Sequence, residues 1–124
     1  NTSSDDTSFE LRKNKGKYIL LNFWASYDAK SRVSNVSLNN VINGLDQNIE
    51  LVSVSFDTYP SVFAETIKKD IITTPACFIE TNGKSSAIFK TYRLEKGFNN
   101  YLLDENGVIL AKNLSANELV AFFN

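Results

Sequence analysis

The chain has 124 residues, enough for one domain with its own core, and its 43% hydrophobic and 12% aromatic content excludes a disordered segment. A net charge of −1 gives no global field to gather nucleic acid or an anionic membrane, and no apolar run reaches membrane-spanning length. Histidine is absent, which removes the commonest general base and metal ligand, and the single cysteine, Cys77, cannot close an intrachain disulfide. The chain has no Met and starts at Asn1, which points to a mature or trimmed piece of a longer product.

In chain order, residues 1–8 are polar and read as a flexible N-terminal arm or linker, and residues 9–124 as a single domain. Tyr18–Trp24 is almost continuously apolar, the pattern of a central strand covered on both faces. A helix is expected from Asp28 to about Gly44. Leu38, Val41, Ile42 and Leu45 form its apolar stripe, Val33 and Val36 widen it, and Gly44 suits its end. Ile49–Phe56 reads as a second strand, ending at Asp57. Pro60 opens a second helix whose Val62, Phe63 and Ile67 can face a core, with Lys68 and Lys69 in the last turn.

Cys77-Phe78-Ile79 is a short apolar segment closed by Thr81-Asn82-Gly83. Ser85–Arg93 reads as a helix with Ala87, Ile88 and Tyr92 on one side. Tyr101–Leu103 and Val108–Leu110 are antiparallel strands around a turn at Asp104-Glu105-Asn106-Gly107. Ser115 and Glu118 have the spacing of a capping box, with Leu114 and Leu119 as its hydrophobic staple. Leu119, Phe122 and Phe123 then pin the last helix to the sheet.

The segment Phe23-Trp24-Ala25-Ser26-Tyr27-Asp28-Ala29-Lys30-Ser31-Arg32 resembles the F-W-A-x-W-C-x-x-C-[RK] junction of thioredoxin-like proteins. Gly16–Ser26, Lys90–Leu94 and Tyr101–Ile109 resemble, in the right order, three motifs of the TlpA/ResA-like branch, related to the AhpC/TSA proteins. The resemblance runs from Phe9 to the last helix. It implies a thioredoxin-like α/β fold, a central mixed sheet flanked by helices on both faces, and a periplasmic or otherwise extracytoplasmic location.

The departures bear on chemistry. Asp28 and Ser31 stand where that family has its two cysteines, and disulfide exchange needs an attacking thiolate and a resolving thiol. The family's cis-proline position falls on Phe98, where a trans bond is expected. Asn22 replaces a buried Asp common in the family.

The residues themselves support bland roles. Asp28 reads as a helix N-cap. It also fills the place an anion would take among the helix amides, Lys30, Ser31 and Arg32. Cys77, flanked by Ala76 and Phe78, reads as a small buried apolar side chain. Asp57, Glu80, Asp104 and Glu105 read as solvated turn residues.

The expected function is a redox-inactive binding or structural module in the cell envelope, with no catalytic residue, metal or cofactor. A protein or peptide would lie in the vestigial groove of Trp24, Tyr27, Lys30, Arg32, Phe98 and Asn99. Nucleic acid and direct membrane insertion are not expected. The alternative is a thiol-disulfide oxidoreductase or peroxidase-like enzyme using Cys77 or a partner's thiols.

Overall fold

A computed structural model describes residues 17–123; the expected arm at 1–8 and the lead-in to residue 16 lie outside them. Five strands, β1 Tyr18–Trp24, β2 Ile49–Ser55, β3 Cys77–Ile79, β4 Asn100–Leu103 and β5 Ile109–Lys112, form one mixed sheet in the order β3-β2-β1-β4-β5. β1 pairs parallel with β2 (Leu20 opposite Leu51) and antiparallel with β4 (Leu20 opposite Leu102). With neighbours on both edges and cover on both faces, β1 has six of its seven residues buried, as its continuous apolar run requires.

Alternation along β1 divides the core. Ile19, Leu21 and Phe23 join Val52, Val54, Phe56, Phe89 and Leu94 on one face, under helix α3 (Ala87–Thr91) and a 3-10 turn at Leu94–Lys96. Leu20 joins Leu38, Leu51, Leu102 and Leu119 on the other, under α1 (Ala29–Gly44) and α4 (Ala116–Phe122). Helix α2 (Pro60–Asp70) is fastened to α1 by the Arg32–Asp70 ion pair, and its Phe63 ring lies 6.4 Å from that of Trp24.

The local rules hold at most ends. Pro60 is the first residue of α2, and Lys68 and Lys69 occupy its last turn. The Ser115–Glu118 capping box is complete, with both hydrogen bonds present, and Leu114 packs into the cluster that holds Leu119. The β4–β5 turn is held by the Asp104 carboxylate, which accepts from the amides of Asn106 and Val108, while Gly107 takes φ 85°. β5 therefore resumes at Ile109 rather than Val108.

Several side chains depart from the sequence reading. α1 does not turn Val33 inward: Val33 is 64% exposed, and the buried face is Ser31, Asn35, Leu38 and Asn39. The sheet beneath that face carries Asn22 and Ser53, so polar partners outweigh an aliphatic stripe. Asn39 also accepts from the Thr73 amide and donates to the Ile71 carbonyl, holding the turn in which Ile71 caps α2 in the left-handed region. In α2 the buried residue is Thr66, and Val62 is exposed.

The helix expected over Ser85–Arg93 is shorter. The Ser86 hydroxyl accepts from the Phe89 amide and starts a new helix there, which sends Phe89 into the core and leaves Ala87 in solvent. Phe122 is exposed, since α4 docks through Leu119 and through Phe123, whose ring lies 5.0 Å from that of Tyr18.

Candidate functional site

Strand β1 ends at Trp24, and the chain must turn into α1 within four residues. Asp28 is the N-cap, extended at φ −106°, with a carboxylate oxygen 3.1 Å from the Ser31 amide. The Ser31 hydroxyl accepts from the Ala25 amide at 3.2 Å and donates to the Asp28 carbonyl at 3.0 Å. Asp28 and Ser31 thus tie the junction together. Asp28→Ala is expected to destabilise the fold by ~1 kcal/mol, the usual worth of such a cap, measured by urea unfolding. An unchanged midpoint would show that the carboxylate is there for something other than the helix.

Ser26 turns the chain over a second anchor. Its amide and hydroxyl donate to Asp57 at 2.9 and 2.6 Å, and its hydroxyl lies 2.9 Å from that of Thr66. Asp57 also accepts from the Ser55 hydroxyl at 2.7 Å and is only 2% exposed. The reading of Asp57 and Glu80 as solvated turn residues is therefore corrected. Glu80, also buried, accepts from the Asn82 amide. Buried carboxylates at strand ends are kept by the surrounding donors.

The groove residues separate into distinct environments. Lys30, Phe98 and Asn99 line one groove of about 350 Å³ with Asp28, Ser31 and Lys96. Tyr27 does not line it; it is 63% exposed, its ring 6.4 Å from that of Phe98. Phe98 is half core: it stacks on Phe56 at 5.8 Å, and the peptide bond before it is trans. Gly97, at φ 127°, makes the bend that brings this loop to the junction, where the Asn99 carbonyl accepts from the Phe23 amide.

Trp24 is not at the rim. It is fully buried on the α1 face, because it shares the side of β1 that carries Leu20 and Asn22. Arg32 is turned away from Lys30 and grips Asp70 through two hydrogen bonds, at 2.8 and 2.7 Å, which raise its pKa. It therefore does not join Lys30 and Ser31 in an anion site.

Cys77 lies in edge strand β3, opposite Ser53. It is half-buried, and desolvation pushes its thiol up to about 11, against the downward pull of a hydrogen bond with Ser53. Ser53 in turn donates to the Asn35 side-chain oxygen at 2.8 Å, which also accepts from Asn22 at 2.9 Å. This buried polar chain of Asn22, Asn35, Ser53 and Cys77 escaped the sequence reading. Its one signal was the spacing of Ser31, Asn35 and Asn39, a polar stripe at helical period.

Among the described residues no group of three or more His, Cys, Asp or Glu side chains is placed to hold a metal ion, and no helix is long and apolar enough to cross a membrane.

Solved structures share this arrangement. A thioredoxin-like protein from Parabacteroides distasonis ATCC 8503 is 44% identical with a TM-score of 0.82, over 86% of this chain and 79% of that one. The C-terminal domain of a Bacteroides thetaiotaomicron protein assigned as a thiol-disulfide oxidoreductase is 31% identical (TM-score 0.77), over 88% and 76%. A thiol-disulfide oxidoreductase from Bacteroides fragilis NCTC 9343 is 27% identical (TM-score 0.72), over 88% and 80%. No protein-family model matches the chain, and no curated protein does.

Proposed function

This chain belongs to the TlpA/ResA-like family of thioredoxin-fold thiol-disulfide oxidoreductase domains, and we propose that it is a member that no longer exchanges disulfides and serves as a binding module in the bacterial cell envelope. The observation that carries this reading is the junction itself. Asp28 and Ser31, which the sequence resemblance aligns with the dithiol positions, spend their side chains on helix and turn hydrogen bonds. A carboxylate or a hydroxyl there forms no mixed disulfide.

Cys77 is no substitute nucleophile, since a thiol held near 11 carries little thiolate at neutral pH. The groove of Lys30, Phe98 and Asn99 has a concave shape that suits an extended peptide, and the exposed Tyr27 ring adjoins Phe98. The envelope location follows the resemblance to that branch.

In an insulin-reduction assay with dithiothreitol, the domain is expected to give the same rate as reductant alone. A rate clearly above that blank would overturn the redox-inactive reading and favour chemistry at Cys77.

A further inference from the structure

On the other side of Tyr27 from the Lys30–Phe98 groove lies a second cleft of about 410 Å³, over the Asp57 anchor. Its floor is Ser26, Asp57 and Thr66, and its walls include Tyr27, Tyr59 and Val62. These three wall residues are 63%, 67% and 45% exposed, although large apolar side chains gain by being covered. We propose that this cleft receives a basic side chain, lysine or arginine, presented by a partner polypeptide.

The charge on the floor selects the occupant. Asp57 takes hydrogen bonds from the Ser26 amide, the Ser26 hydroxyl and the Ser55 hydroxyl, all neutral donors. A carboxylate has about four acceptor positions, so one remains. Arg32 also lines the cleft, but its guanidinium is held in a two-pronged pair with Asp70 and adds no net charge. Arg32 and Asp57 are the charged residues lining the cleft, and with Arg32 paired to Asp70 the cleft is left with the Asp57 charge. The Tyr27 hydroxyl registers it: its pKa is raised, first by burial, then by Asp57 and Asp28.

Two tyrosine rings beside a carboxylate suit a cation, which is drawn both to ring faces and to the buried charge. An anion would be repelled, and an apolar occupant would give the Asp57 charge no partner. A polypeptide source is favoured by what adjoins the cleft. A trough lined by Ala29, Val33 and Val36 shares Ser26, Tyr27 and Arg32 with it, and Val33 is 64% exposed. That aliphatic run gives the residues flanking a basic side chain a surface to lie on, which a free amine would not use.

The test titrates the isotope-labelled chain with short blocked peptides that differ only in a central Arg, Lys, norleucine or Glu, followed by amide chemical shifts. Arg and Lys peptides are expected to move the amides of Tyr27, Asp57, Thr58 and Tyr59 saturably, and norleucine and Glu peptides to leave them in place. Tyr59→Ala, a change at the surface, is expected to weaken the Lys peptide at least about threefold without altering the thermal midpoint. Norleucine binding as tightly as Lys, or Tyr59→Ala binding unchanged, would overturn the proposal. Free spermidine matching the peptides would make this a small-amine site and overturn the polypeptide part. Asp57 and Tyr59 take no part in the Lys30–Phe98 groove, so failure here leaves the reading of that groove intact.

Discussion

Asn35→Ala is expected to destabilise the protein by ~2–5 kcal/mol, more than its exposed polar neighbours on α1 would cost together. The Asn35 side-chain oxygen accepts from both Asn22 and Ser53, which are 2% and 0% exposed. Removing it strands two buried donors, each worth ~1–3 kcal/mol when left without a partner. Urea unfolding would measure the effect. Adding Ser53→Ala to Asn35→Ala removes one of the stranded donors, so the double variant should lose less than the sum of the two singles. Strict additivity, or an Asn35→Ala midpoint equal to the parent's, would mean that the network contributes nothing to holding α1 on the sheet.

Alkaline pH should weaken the fold through Cys77. Burial raises the thiol from an ordinary 9.0 to about 11, so the folded state holds its proton over a range in which the unfolded chain has lost it. The contribution is whole below pH 9, falls away between 9 and about 11, and is gone above that. Two units correspond to at most about 3 kcal/mol. Tyr92, raised by burial and by Tyr101, acts in the same direction, so the comparison must be with Cys77→Ala, which lacks only the thiol. The expected result is a parent protein that loses urea resistance across this window more steeply than the variant. Parallel curves would place the thiol in water. The same protection predicts slow labelling of Cys77 in the native state and fast labelling in denaturant.

What could be read in advance was whatever depends on near neighbours. The continuous apolar run of β1, the Asp28 cap, proline at the start of α2 and the Ser115–Glu118 box each involve residues within a turn of one another, and the structure has all four. The inner face of α1 was not legible. Hydrophobic period identifies a buried face only where that face is apolar, and here the polar Asn22 and Ser53 of the sheet draw Asn35 inward and leave Val33 outside.

The same limit applies to the site. Asp28 and the Tyr27–Phe98 pairing follow from local rules and from the resemblance. The partner of Arg32 is Asp70, 38 residues away, and the partners of Asp57 include Ser26, 31 residues away. No local pattern marks such pairs, and they decide that Arg32 leaves the first groove and that Asp57 becomes the floor of a second.

The position of β1 sets the order in which a newly made chain can finish folding. β1 leaves the ribosome before the other four strands, and β2 follows soon enough to pair with one of its edges. Its other edge waits for β4, more than eighty residues of synthesis later by the Ile19–Leu103 pairing, and the leucine layer over Leu20 waits for Leu119. Until then this apolar strand carries a row of unpaired backbone groups along one edge, the template on which strands of other chains assemble. A nascent chain stalled after α2 thus holds that edge bare; emergence of β4 closes it, and emergence of α4 completes the leucine layer.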